Sequence, residues 1–372
     1  MTYLDNGATT FPKPPAVTQA MVRVMETCGN PGRGGYDAAM RAGRVLLRCR
    51  ETAGEMFDCC PEHVVLTGSC THGLNMAIRS LVKPGSSVVV SGFEHNAVLR
   101  PLHSLGARIL VAGRKLFDRA DTLTDFARVL RQGVDAAVFT HVSNVFGYIL
   151  PVEEMAALCR AYGVPFIVDC AQSAGTLPVS LAAWGADFIA MPGHKGLLGP
   201  MGTGLLLCNR TPEPLLQGGT GSNSRDLNMP DFLPDAGEAG TANVPGIAGL
   251  TAGMEFVRKR GLSEIFRAEH TQMRRCAEKL KNLGFRVFTG ENQCGCLSFT
   301  GNQDPQELAD FLGNEGICVR AGLHCAPLAH ESAGTLDSGT IRVSYGVEAS
   351  ADQTGNLVAA LGKYLRNREK SR

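Results

Sequence analysis

Lys195, Asp169, His95 and Cys325 can do chemistry together if the fold collects them. Lys195 lies in Met191-Pro-Gly-His-Lys-Gly-Leu-Leu-Gly-Pro200, a glycine-rich turn behind the apolar run Asp187-Phe-Ile-Ala190. An amine fixed at a strand end inside a pocket can hold an aldehyde as a Schiff base. Asp169 closes a second run, Pro165-Phe-Ile-Val-Asp169, where a carboxylate can pair with a protonated ring nitrogen or simply cap a helix. With Lys195 following the next strand, the ring-pairing role is the stronger reading.

The neighbouring motifs extend the set. Ser69-Cys-Thr-His-Gly-Leu-Asn75 follows a strand and opens a helix, so its amides and hydroxyls suit a phosphate, although serine and threonine also serve as plain caps. His95, in Gly92-Phe-Glu-His95, has a flat ring for stacking, and His194 stands beside Lys195. Gln172 suits a phenolic oxygen or the surface, and Asn144 lies past a strand end where a carboxylate would sit. Arg320-Ala-Gly-Leu-His-Cys325 sets a cysteine in a glycine-containing loop behind a histidine, a setting that can lower a thiol pKa and make a nucleophile. Arg342 can clamp a carboxylate bidentately. Taken singly, Cys325 and Arg342 also read as a buried cysteine and a surface arginine.

Elements able to position these residues are visible. Strands are expected at 64–67, 87–91, 108–111, 136–140, 165–169, 187–190 and 204–207, with helical patterns between them such as 73–81 and 152–162. Apolar strands alternating with helices give an α/β fold with a mostly parallel sheet covered on both faces, whose ligands bind at the strands' carboxyl ends. Those ends carry Thr67, Glu94, His95, Thr140, His141, Asp169, His194 and Lys195. Residues 212–245 read as a long loop, with a helix from about residue 246. Beyond residue 260 come helices at 262–283, 305–315 and 352–367 and strands at 286–288, 296–299, 317–320 and 340–344, a smaller α+β unit. The basic tail 366–372 is expected to fray.

At 372 residues the chain is long for one core, so two domains are expected. A net charge of +1 gives no electrostatic case for nucleic acid or a membrane surface, and no long apolar run or signal-peptide pattern is present. Thirteen cysteines, an odd count without a disulfide-framework layout, fit a reducing cytoplasm, most of them as small buried hydrophobes. A metal-binding or sulfur-carrier protein using Cys59-Cys60, Cys294-Gly-Cys296 and His324-Cys325 is the competing class, but no spacing matches a zinc motif, so no metal is expected.

The chain resembles the cysteine desulfurases and selenocysteine lyases, class V aminotransferase-like members of the fold-type I pyridoxal-phosphate enzymes. The resemblance rests on Tyr3–Pro12, Asn30–Arg33, Glu94–Ala97, His141–Val145, Asp169–Gln172, Gly193–Lys195, Glu238–Thr241, Arg320–Cys325 and Thr340–Arg342. It implies a seven-stranded sheet in a large pyridoxal 5'-phosphate-binding domain at 15–255. An N-terminal segment at 1–14 would pack near the active site, and a small domain at 256–372 would carry Cys325 and Arg342. By position it implies Lys195 as the Schiff-base lysine, Asp169 on the pyridine nitrogen, His95 on the ring and Gln172 on the phenolic oxygen. Cys70, Thr71 and His194 would form the phosphate corner, and Thr241 would reach the neighbouring subunit's phosphate in a homodimer with shared sites. Asn144, Arg320 and Arg342 would bind the carboxylate of L-cysteine or selenocysteine. Lys195 would remove the α-proton while the ring stores the electrons. Cys325 would take the sulfur as a persulfide for an acceptor protein, leaving alanine. Transamination or another β-elimination on the same cofactor is the alternative. Pro192, Cys70, His72 and Gly7 depart from the family pattern; Pro192 removes an expected phosphate hydroxyl, and the short 325–342 segment resembles a branch with a shielded cysteine.

Overall fold

The computed structural model describes residues 1–32, 34–222 and 224–370, so Arg33 of the Asn30–Arg33 motif and the last two residues of the tail lie outside the described residues. The strands are β1 (Thr2–Tyr3), β2 (Val64–Thr67), β3 (Ser87–Ser91), β4 (Arg108–Ala112), β5 (Ala136–Thr140), β6 (Phe166–Asp169), β7 (Phe188–Pro192) and β8 (Gly204–Cys208), followed by β9 (Arg286–Phe288), β10 (Cys296–Thr300), β11 (Ile317–Cys318), β12 (Arg320–Gly322) and β13 (Thr340–Ser344). β2 to β8 form one seven-stranded sheet in the order β2-β8-β7-β6-β5-β3-β4. Only β8 runs against its neighbours β2 and β7; the other pairs are parallel.

Period-two alternation explains why this sheet is covered twice. On β5, Ala137 and Phe139 face one core cluster while Ala136 and Val138 face another, and Ile189 and Phe188 of β7 divide the same way. Both faces are therefore buried under helices, among them Cys70–Leu81 on one side and Val152–Tyr162 on the other.

A four-stranded antiparallel sheet, β12-β13-β10-β9, packs with the helices Leu262–Asn282 and Ala351–Lys370 around a separate core containing Leu297, Phe299, Val343 and Leu361. Leu4 belongs to that core, and β1 pairs in parallel with β11. The N-terminal segment then crosses to the large sheet, where the Thr9 and Thr10 hydroxyls donate to the His194 carbonyl at 3.0 and 3.2 Å.

Three expectations need correction. The single strand foreseen at 317–320 is split, because Cys318 pairs with Tyr3 whereas Arg320 pairs with Arg342. The tail does not fray from residue 366; the last helix runs to Lys370, with Arg368 donating to the Tyr364 hydroxyl at 3.3 Å. The helix after the long loop starts at Val244, because the Asn243 side chain accepts the Gly246 N–H at 3.0 Å and caps it.

That loop is pinned to the sheet by one carboxylate. Glu238 takes two Arg50 hydrogen bonds at 2.8 Å and the Leu66 N–H at 2.6 Å, with both charged side chains mostly buried. Removing it strands the Arg50 charge. Glu238→Ala is expected to lower stability by about 3 kcal/mol, read from the midpoint of chemical denaturation.

Candidate active site

Register alone brings the strand-end residues together. Thr140 pairs with Asp169, and Asp169 pairs with Ala190, five residues before Lys195. The turn carrying Lys195 packs so tightly that a Cβ on Gly196 would come within 2.3 Å of the Ala174 carbonyl oxygen. A side chain there would push the lysine out of place.

A cavity of about 410 Å³ opens at these strand ends. Its walls include Cys70, Thr71, His95, Asn144, Asp169, Gln172, His194, Lys195, Arg320, Cys325 and Arg342. Every candidate site residue except Thr241 is therefore gathered at one place. Thr241 is exposed on a different cleft of about 730 Å³, beside Gly68 and His72.

Asp169 is buried, 2% exposed, and its Oδ1 accepts the Ala171 N–H at 2.8 Å and faces the Cys70 thiol at 3.5 Å. Burial pushes the Lys195 pKa down, against the pull of Asp169 and Cys70, which raises the share of neutral amine able to attack a carbonyl. His95 caps the helix Asn96–Ser104, its Nδ1 accepting the Ala97 N–H at 3.0 Å. Burial also lowers its pKa, so the ring is neutral with its proton on Nε2. Ser69 caps the helix Cys70–Leu81 by accepting the His72 N–H at 3.1 Å, and the first-turn amides lack intrahelical acceptors. That end is where an anion binds.

Burial and the Lys195 and Lys13 charges push His194 down to about 4, so it meets an anion as a neutral donor. Its Nδ1 is buried without a hydrogen-bond partner. Gln172 donates through Nε2 to the Gly7 carbonyl at 2.9 Å. The buried carboxylate, the amine, the flat neutral ring, the helix end and the orphaned His194 nitrogen fit a pyridine ring bearing an aldehyde and a phosphate. Pro192 ends β7 on the cavity wall and has no hydroxyl to add.

The far wall comes from the second sheet. Arg342, 2% exposed, donates to Asp5 Oδ1 at 2.7 Å and to the Asn144 carbonyl at 3.0 Å, and its Nε has no partner. Arg320 reaches the other Asp5 oxygen at 3.3 Å. A Cβ on Gly7 would lie 3.2 Å from the Arg342 guanidinium carbon, so glycine gives this cation room. Asn144 Nδ2 donates to the His324 carbonyl at 2.8 Å, and the Asn96 N–H to that of Cys325 at 2.7 Å.

Cys325 is exposed, and both it and His324 have positive φ, 57° and 50°. Two consecutive non-glycine residues in this region mark a strained loop held by its surroundings. His324 does not supply the positive charge that its position suggested. Burial, then Arg342 and His330, press its pKa down to about 2. Nε2 sits 3.2 Å from Thr340 Oγ1; that hydroxyl donates to Ser298, so Nε2 carries the proton.

Sequence reasoning passed over two partners. Asp5 sits only in the opening motif, 337 residues from the arginine it holds. Glu94 was visible as a polar strand-end residue without a role. It is fully buried, its Oε1 accepts the Thr140 N–H at 2.8 Å and a short bond from Ser91, and its Oε2 has no partner. Burial raises its pKa from 4.5 to about 8. Because the folded carboxyl keeps a proton that the unfolded one loses, its contribution is complete below 4.5 and is lost as pH rises through about 8. Glu94→Gln, which keeps the acceptor, is expected to shrink the stability lost between pH ~5 and ~8.5 by at least about 1 kcal/mol in urea titrations.

The comparisons agree with this geometry. A family model described as Aminotransferase class-V matches residues 2–357. A protein named "probable cysteine desulfurase" from Methanothermobacter thermautotrophicus is 34% identical over 361 residues, covering 90% of this chain and 88% of its own. An Escherichia coli cysteine desulfurase is 32% identical over 284 residues, 71% of this chain and 69% of that protein. Among solved structures, a cysteine desulfurase from Thermococcus onnurineus matches with TM-score 0.91 at 29% identity, over 98% of this chain and 94% of that one. With its cavity at the carboxyl ends of a mostly parallel seven-stranded sheet, this chain belongs to the class-V aminotransferase family, in the company of cysteine desulfurases.

Proposed function

We propose that this chain is a pyridoxal 5'-phosphate-dependent cysteine desulfurase that converts L-cysteine to L-alanine and carries the sulfur on Cys325. The observation that carries the reading is Cys325 sharing one cavity with Lys195, Asp169 and Arg342. Lys195 would anchor the cofactor aldehyde, Asp169 would pair with its ring nitrogen, His95 would stack on the ring, and Gln172 would serve the phenolic oxygen. Thr71, Cys70, His194 and the first-turn amides would hold the phosphate. When bound, the cofactor supplies an electron sink for the bond broken at the α-carbon.

Arg342, with Asn144 and Arg320, binds the substrate carboxylate and sets the thiol toward Cys325. Lys195 takes the α-proton. The Cys325 thiolate attacks the substrate sulfur, the Cβ–S bond breaks, an S–S bond forms, and Cβ gains a proton. L-cysteine plus a thiol gives L-alanine plus a persulfide, so no outside oxidant or reductant enters. The exposed Cys325 suits delivery to a sulfur-acceptor protein.

Thr241, exposed and away from its own chain's cavity, suits a homodimer in which it reaches the other subunit's phosphate. Eight of the 13 cysteines are buried and all are free, which suits a reducing cytoplasm. No helix among the described residues is long and apolar enough to cross a membrane.

The test supplies the cofactor-loaded protein with L-cysteine and, separately, L-selenocysteine, and quantifies alanine with sulfide or selenide. Alanine from cysteine supports the reading. Alanine from selenocysteine alone would replace it with a selenocysteine lyase, and pyruvate in place of alanine would point to a β-lyase.

A further inference from the structure

Behind the cofactor cavity lies a second, smaller one of about 40 Å³. The two share Gly7, Gln172 and Lys195, so the Gln172–Gly7 hydrogen bond stands between them. On its far side the small chamber shares Asn6, Thr10 and Gly346 with an outer cleft of about 150 Å³ that reaches Met1 and Glu348. The shared residues place the small chamber between Lys195 and the outer cleft, and Cys325 lines neither the chamber nor that cleft. The chamber's volume admits roughly three waters and no amino acid.

One acidic side chain lines this chamber. Glu269, on the helix Leu262–Asn282, is 9% exposed, and among the described residues no hydrogen bond or ion pair engages its carboxylate. It packs on Gly295, whose added Cβ would meet Glu269 Oε2 at 3.0 Å. Cys294, Cys296 and Tyr345 complete the wall around it, none of them acidic at neutral pH, and Lys195 lies at the inner end. Burial raises the Glu269 pKa from 4.5 to about 8, so the group can exchange a proton near neutral pH. A carboxyl without a protein partner needs water to complete its hydrogen bonds, and the chamber is where that water fits.

We propose that this chamber is a rear water path for protons and that Glu269 is its relay residue, passing protons between the Lys195 amine and the outer cleft. In each transfer the Lys195 ammonium gives one proton to water, water gives one to the Glu269 carboxylate, and the carboxylic acid releases one to the outer cleft. No electrons move, and the reverse sequence recharges the amine. Glu269 acts through water and touches neither substrate nor cofactor, so it is a positioning residue for protons. The inference rests on Lys195 being the proton-handling amine of the proposed reaction.

The test compares wild type, Glu269→Gln and Glu269→Asp. Infrared spectroscopy of the cofactor-free protein at pH 7 is expected to show a protonated-carboxyl band that loses intensity in Glu269→Gln, the buried Glu94 carboxyl supplying the remainder. In the loaded protein, exchange of the α-hydrogen of L-alanine with D₂O is expected to slow about tenfold or more in Glu269→Gln, with Glu269→Asp recovering most of the rate. Glutamine preserves shape and neutrality, and an unchanged melting transition confirms the fold. A carboxyl band unchanged by Glu269→Gln, or unchanged exchange in that variant, overturns the relay. L-alanine carries no sulfur, so the exchange stays readable even if cysteine proves not to be the substrate.

Discussion

Lys195→Ala is expected to abolish the visible absorbance that develops when pyridoxal 5'-phosphate is added, and to lower alanine formation on the order of 10³- to 10⁴-fold. The amine is held by the packing of its turn and by the register that sets it beside Asp169. Among the described residues, no other lysine lines the cavity. Lys13, whose pKa burial lowers to about 8, is spent on Thr10 and the His194 carbonyl, each at 2.6 Å. The phosphate corner at Ser69–Thr71 lies on another element, so the variant is expected to bind the cofactor non-covalently. The readouts are an absorbance spectrum and equilibrium dialysis. A variant that still develops the wild-type absorbance would remove Lys195 from its role.

Cys325→Ser has the second large effect and the opposite spectral signature. The lysine-linked absorbance is expected to remain, because Cys325 reaches the cavity on a loop of the second sheet and no hydrogen bond among the described residues ties its thiol to the groups that would hold the cofactor. Alanine formation from L-cysteine is expected to fall on the order of 10³-fold, since a hydroxyl cannot accept sulfur as a thiolate does. Local geometry should survive the substitution. The left-handed conformation at 324 and 325 is held by hydrogen bonds to its carbonyls, from the Asn96 N–H to that of Cys325 at 2.7 Å and from the Asn144 side-chain Nδ2 to that of His324 at 2.8 Å. Serine leaves both in place. Retained turnover in Cys325→Ser would mean a different reaction on the same cofactor.

How much of this was legible depends on the range over which each feature is encoded. The placement of Lys195 and Asp169 on one edge of the sheet was readable because strand ends are local and a parallel sheet puts successive strand ends on one edge. The split of 317–320 was not, since it depends on pairing between Cys318 and Tyr3 across nearly the whole chain. The neutral state of His324 was also hidden: sequence adjacency suggested a cation beside the thiol, whereas burial and Arg342 decide against it. Asp5 offered no local signal, because its arginine partners arrive only when the second sheet closes. Glu269 did leave a trace. It interrupts the buried stripe Ile265, Met273, Cys276 and Leu280 of its helix, a polar residue at an apolar position. What it faces could be known only from the chamber formed by the opposing N-terminal segment.

Passage of sulfur from substrate to Cys325 is read by mass. The loaded protein is given L-cysteine without any acceptor or reductant, quenched with a thiol-alkylating agent, digested, and the peptide containing Cys325 is weighed. One additional sulfur atom is expected on Cys325, formed with about one alanine per active site in the first turnover. Alanine accumulating while Cys325 stays unmodified would contradict it.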